Sequence, residues 1–66
     1  MSNRQEKHDL ENIIDNLGLS TTLELIADIC YEKSAHIQTN WQDKVTSRPW
    51  EKAAKRIETI SSKTDV

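Results

Sequence analysis

The fold is decided between residues 10 and 29, which read LENIIDNLGLSTTLELIADI. The first half of this stretch carries four apolar residues at helical spacing, namely Leu10, Ile13, Ile14 and Leu17. Gly18 follows them directly and suits the left-handed position just past the end of a helix. The stretch therefore predicts a first helix over residues 9–17, a break at Gly18 and the beginning of a second helix.

The second predicted helix begins around Thr21 and Glu24, which have the spacing of a capping box, and runs to about Gln38. Its core-facing stripe is expected to hold Leu23, Ile26, Ala27, Cys30, Ser34 and Ile37, with Trp41 in phase if the helix continues. This helix should be the centre of the fold.

The same helix is also apolar on its far side. Leu25 and Ile29 lie there, with Tyr31 on one flank and His36 on the other. A helix that is apolar on two sides must be covered on two sides, either by another segment of the chain or by a second chain. Leu25, Ile29 and Tyr31 are therefore candidate interface residues.

A third helix is expected to begin near residues 47–49, because proline is tolerated in a first helical turn and harmful in an interior. Its apolar stripe comprises Trp50, Ala53, Ala54, Ile57 and Ile60. Residues 39–46 are ambiguous, and a turn or short helical piece is favoured there. Residues 1–8 and 62–66 are polar and expected to be frayed. The sequence suggests no internal repeat and no coiled-coil heptads.

These patterns predict a single all-α domain over residues 1–66, in which a short N-terminal helix packs across a helical hairpin of two longer helices. A domain of this size buries only about 60% of the surface of its unfolded chain. Cys30 is the only cysteine, so no internal disulfide can form, and His8 and His36 lack metal-ligand spacing. Self-association remains as a source of stability, and a homo-oligomer is expected.

Composition excludes several functional classes. The charged beginning of the chain does not resemble a signal peptide, no apolar run approaches a membrane span, and a lone cysteine suits a reducing compartment, so a cytoplasmic location is expected. There is no glycine-rich phosphate loop, and Cys30 lies on an apolar face where a thiol is inert packing. We therefore expect no enzymatic activity, no catalytic residues, no cofactor and no bound metal.

Charge divides the chain unevenly. Residues 1–43 hold eight acidic and three basic side chains, whereas residues 44–66 hold six basic and three acidic ones. A candidate basic stripe on the third helix comprises Lys44, Arg48, Lys52 and Lys55. The stripe could lie on nucleic-acid phosphates, but the solvated side of an amphipathic helix is the usual explanation of such a charge run, and the acidic total opposes nucleic acid. A protein partner with an acidic surface fits the basic end better.

Trp41 and Trp50 supply most of the aromatic surface, since Tyr31 is the only other aromatic residue. Tryptophan buries a large apolar area and needs one partner for its N–H. The two side chains either fill the junction between the second and third helices or anchor an interface, where tryptophan is enriched. Both are candidate interface residues.

Three segments carry a resemblance to known proteins: residues 32–36 (EKSAH), 40–43 (NWQD) and 50–54 (WEKAA). In these segments the chain resembles a family of very short, mostly uncharacterised bacterial helical proteins. It is also similar to small proteins of filamentous cyanobacteria described as negative regulators of heterocyst differentiation. The resemblance implies a regulatory role through protein contacts and brings no activity, cofactor or site residue. Pro49 departs from the unbroken helix expected before the second tryptophan.

Overall fold

Three α-helices make up the protein in the computed structural model, which describes residues 3–41 and 44–66 and the side chains of residues 4–40 and 44–66. Helix α1 spans Asn3–Leu17, α2 spans Leu19–Trp41 and α3 spans Lys44–Ser62. No strand occurs in these residues. The all-α fold, with an N-terminal helix shorter than the two helices of a hairpin, is as the sequence predicts. Helix α1 begins six residues before the predicted start at residue 9.

Gly18 is the single residue between α1 and α2, and its φ of 86° lies in the left-handed region. Its N–H donates to the Ile14 carbonyl at 2.7 Å, and its own carbonyl accepts the Thr22 hydroxyl at 2.7 Å. The Ser20 N–H donates to the Val66 carbonyl at 2.7 Å, which ties the end of the chain to this junction. Helix α2 thus begins at Leu19, so Thr21 lies inside its first turn and not at the expected cap position.

Helix α3 begins at Lys44, so the prediction that Pro49 occupies its first turn is wrong. Pro49 lies within the helix, and it has no backbone N–H with which to donate the hydrogen bond that another residue would make there. The Ser47 hydroxyl donates to the Lys44 carbonyl at 3.1 Å and so satisfies one acceptor in the first turn. The ambiguous segment 39–46 is divided between the two helices. Residues 39–41 end α2 and residues 44–46 begin α3, whereas residues 42 and 43 lie outside the described residues.

Helices α2 and α3 pack antiparallel along two matching stripes of small residues. Both stripes repeat every seven residues: Ser20, Ala27 and Ser34 on α2, and Ser47, Ala54 and Ser61 on α3. At one end, the Ser61 hydroxyl donates to the Ser20 carbonyl at 3.0 Å and the Ser20 hydroxyl donates to the Ser61 carbonyl at 3.2 Å. The antiparallel register then places Ala27 opposite Ala54 and Ser34 opposite Ser47. Seven residues are close to two helical turns, so each layer repeats on the same face.

The core of the hairpin consists of small side chains only. The buried residues of the described chain are Thr22, Ala27, Cys30, Ser34, Ser47, Ala54 and Ser61. The predicted core stripes are therefore wrong in detail, because the large members of both stripes lie beside the contact and are partly exposed. Small residues spaced seven apart within each helix form the contact line. Small side chains let two helix axes approach closely, and the bulky ones are pushed to the flanks.

Helix α1 does not pack across the hairpin as predicted. Within the described residues it contacts α2 and makes no contact with α3. The Cα atoms extend over 37 × 33 × 13 Å, and their radius of gyration is 13.7 Å. A compact chain of this length would have a radius of gyration of about 11 Å. The molecule is therefore thin and open, with α1 projecting from one end of the hairpin.

Candidate interaction surfaces

The outer edge of α2 carries the first candidate surface. Leu25 and Ile29 are 44% and 49% exposed, so the second apolar side of α2 is uncovered in a single chain. Ile29, Lys33 and Ile37 line a shallow groove on this side of the helix, together with Glu32 and His36. The groove connects the outer edge of α2 with the flank of the hairpin.

One broad face of the hairpin is apolar. We call it the apolar face; it comprises Ile26, Ile37, Trp50, Ala53, Ile57 and Ile60. The Lys33 ammonium lies 5.5 Å from the centre of the Trp50 ring, which places this flank of α2 and this flank of α3 on the same side. Trp50 and Ile60 are 38% and 54% exposed, and the other four are partly exposed. No element of the described chain covers them.

The opposite face of the hairpin is polar. Tyr31 on α2 hydrogen-bonds to Glu58 on α3, and this bond, with some burial and the nearby negative charges of Glu58 and Glu51, raises the pKa of Tyr31 to about 12. Glu24, Asp28 and Glu58 line a groove on this side. Tyr31 is therefore held within its own chain, on a different face from the exposed apolar residues.

Helix α1 presents a third apolar surface. We call it the α1 stripe; it comprises Leu10, Ile13, Ile14 and Leu17. Leu10, Ile13 and Leu17 are 44%, 43% and 47% exposed, and Ile14 is half-buried. These residues share one side of the helix because they are spaced by one and two turns. An isolated helix of this length is marginal in water, so packing of the stripe would stabilise it.

The predicted basic stripe is exposed along α3. Lys44, Arg48, Lys52 and Lys55 all lie on the side of α3 turned away from the small residues that pack on α2. The Lys55 ammonium is 3.6 Å from the Glu51 carboxylate, one turn earlier, so it is partly neutralised. The stripe is therefore accessible, and the structure does not bring it together with the other candidate residues.

The remaining candidates form no chemical centre. Among the side chains that the structure describes, no three of His, Cys, Asp and Glu converge as a set of metal ligands. The Asn40 amide donates to Nδ1 of His36 at 2.8 Å, and Cys30 is a free thiol buried in the hairpin. Trp41 is the last residue of α2, and the predictions about its side chain lie outside the described residues. None of the described helices is long and apolar enough to cross a bilayer.

The structure brings together two surfaces that the sequence left separate. The predicted core stripe of α2 and the apolar stripe of α3 form one exposed face, because the small residues between them take the helix contact. The α1 stripe was expected to be covered by the hairpin, but three of its four residues are exposed. The seven-residue spacing of small residues was visible in the sequence and could have indicated the first result, whereas the second depends on the junction at Gly18.

The fold and its surfaces define a small all-α protein, built on an antiparallel helical hairpin, whose large apolar side chains lie at its surface. Comparisons of the chain with protein-family models, with curated proteins and with solved structures found no match. The functional proposal therefore rests on the chain's own residues and on the resemblance given above.

Proposed function

We propose that this chain is a small, non-enzymatic regulatory protein that acts in the cytoplasm through protein–protein contacts and works as a homo-oligomer. The resemblance to regulators of heterocyst differentiation favours negative regulation of cell differentiation as the role. The basic stripe of α3 then suits a partner protein with an acidic surface.

The observation that supports this proposal is the exposure of the large apolar side chains. In the described residues no leucine, isoleucine, valine or tryptophan is buried. Burying one such side chain contributes about 1.5–3 kcal/mol, and a core of alanine and serine gains little of this energy. Leu25 and Ile29 belong to this uncovered set. A surface of this kind is typical of a protein that binds another chain.

Light scattering on a gel-filtration column tests the proposal. We expect the wild-type chain to be larger than a monomer, and the double variant Leu25→Glu, Ile29→Glu to be shifted toward monomer, because two carboxylates would be placed in a desolvated contact. The matched control is Ala35→Glu, Thr39→Glu, which has the same spacing on the same helix at exposed positions. The control should retain the wild-type mass. A wild-type chain that is folded and monomeric at high concentration would refute self-association.

A second candidate function is nucleic-acid binding by the basic stripe, and it is favoured by the exposure of all four cationic side chains on α3. Electrophoretic shift assays at low and physiological salt test it, since phosphate contacts weaken steeply with salt. Loss of a salt-sensitive shift in Lys52→Glu, Lys55→Glu would support this function. Arg4→Glu, Lys7→Glu in α1 carries the same change of charge and should leave the shift intact. No shift at low salt would rule the function out.

A further inference from the structure

We propose that α1 of one copy packs on the apolar face of a second copy, so that two chains exchange their N-terminal helices and complete each other's core. The inference rests on the proposed self-association and names two surfaces that meet in it, in addition to the outer edge of α2 at Leu25 and Ile29. It also names the occupant of the apolar face: the α1 stripe of a second copy of this chain.

The junction at Gly18 prevents α1 from reaching its own hairpin. Two helices that turn back on each other need a loop of about two to five residues, and here a single residue separates Leu17 from Leu19. The hydrogen bonds of Gly18 to Ile14 and Thr22 continue the backbone pattern of both helices across this residue. Short hinges of this kind favour exchange between copies over folding back.

The exposed area matches what a dimer requires. The chain exposes 5471 Å², whereas a compact monomer of its mass, 7.6 kDa, would expose about 4,300 Å². The excess is roughly 1,200 Å² per chain, or roughly 2,400 Å² for a pair. Permanent homodimers bury about 2,000 Å² or more in total. One symmetric pair of exchanged helices would therefore remove the excess.

The two surfaces also fit each other in size and chemistry. The α1 stripe from Leu10 to Leu17 is about 10 Å long, and the α3 part of the apolar face from Trp50 to Ile60 is about 15 Å long. Both carry large aliphatic side chains, to which the apolar face adds Trp50, and the shallow surface between α2 and α3 can receive a helix in the manner of helix-on-helix packing. The exchange adds a second layer to a hairpin that is one layer thick, which is the minimum arrangement for a buried core.

A complementation experiment on the full chain tests the exchange. One variant carries Leu10→Lys, Ile13→Lys in the α1 stripe, and the other carries Ile57→Glu, Ile60→Glu in the apolar face. In a homodimer of either variant both contacts hold unpaired charges. In the mixed dimer one contact is native and the other places lysine beside glutamate. Native mass spectrometry of each variant and of the equimolar mixture measures the populations, with far-UV circular dichroism as the measure of folding.

We expect the mixed dimer to exceed either variant homodimer by at least about tenfold, because only cross-contact between α1 and the apolar face pairs the introduced charges. If the variants unfold alone and regain helicity on mixing, that result supports the exchange equally. Two control variants carry the same charges on the exposed polar sides of the same helices: Asn12→Lys, Asn16→Lys in α1 and Thr59→Glu, Ser62→Glu in α3. Each control variant should form a dimer by itself.

Three results would overturn the exchange. The first is a wild type that self-associates while the mixed dimer is no more populated than the variant homodimers. Identical surfaces of the two copies would then meet, and only the arrangement of the dimer would be refuted. The same holds if either variant associates as tightly as the wild type. If the wild type itself is a folded monomer, the proposed self-association fails together with the exchange.

Discussion

Gly18 sets the direction in which α1 leaves the hairpin. Its backbone occupies the left-handed region, and the Val66 carbonyl binds the Ser20 N–H beside it. A Cβ atom at Gly18 would lie 3.6 Å from the Val66 backbone, which is an ordinary contact. The requirement for glycine is therefore conformational, since side chains with a Cβ rarely adopt this φ.

Gly18→Ala should lower the free energy of unfolding by about 1–2 kcal/mol, which is the cost of a left-handed conformation for an L-residue with a Cβ. Gly18→Asn should cost less, because asparagine tolerates this region. Urea denaturation followed by circular dichroism measures both. Equal stability of the alanine variant and the wild type would show that the left-handed junction is not kept.

Tyr31 is the only tyrosine, so its ionisation can be followed by absorbance near 295 nm. The pKa of Tyr31 is raised from 10.0 to about 12, first by its hydrogen bond to Glu58. Because the pKa is higher in the folded chain, the stabilisation is complete below pH 10 and is lost as the pH rises from 10 toward 12.

We expect a titration midpoint near 12 in the wild type and a lower one, closer to 10, in Glu58→Ala, which removes both the acceptor and the charge. Lys63→Gln is a control, because Lys63 is not among the groups that shift the pKa of Tyr31. A wild-type midpoint near 10, with circular dichroism still native, would contradict the Tyr31–Glu58 contact.

At the level of elements, the hairpin depends on small residues at every second turn. Ala27 and Ala54 are 1% and 0% exposed, and serines close the contact on either side of them. Ser61 and Ser20 exchange hydroxyl-to-carbonyl hydrogen bonds, while the Gln38 amide donates to the Ser47 hydroxyl at 3.1 Å. This contact line provides close approach and directional bonds, but little apolar burial.

Ala54→Leu should lower the free energy of unfolding by about 1–3 kcal/mol, because the added side chain has no space between two closely packed helices. Ala35→Leu introduces the same side chain at an exposed position of α2 and should change stability by less than about 0.5 kcal/mol. Urea denaturation of the two variants at one protein concentration makes the comparison. Similar stabilities would mean that α2 and α3 do not meet at Ala54.

At the level of the whole molecule, the described helices form one layer, and no second layer packs against it. Two features of the sequence account for the thin dimension of 13 Å and for the exposure of the α1 stripe and the apolar face. The small residues keep α2 and α3 together, and Gly18 directs α1 away from them. In a single chain, neither arrangement removes the large apolar side chains from water.

The stability of such a molecule should depend on its concentration. For a dimer that unfolds as it dissociates, each tenfold increase in concentration adds about 1.4 kcal/mol. We therefore expect the thermal midpoint to rise by several degrees, on the order of 3–6 °C, per tenfold increase. Circular dichroism melts from about 5 µM to about 500 µM check this. A midpoint that does not move would indicate that the single chain is stable by itself.

Local patterns in the sequence determined the helical class, the break at Gly18 and the apolar second side of α2 at Leu25 and Ile29. Helix periodicity and a left-handed glycine act over a few residues, so they can be predicted without knowing the fold. Only the tertiary structure decided that Ala27 and Ala54 form the helix contact, that Pro49 lies inside α3 and that α1 stands away from the hairpin. Periodicity shows which residues share a side of a helix, but the side that packs is chosen by how closely two helices can approach, which depends on both of them at once.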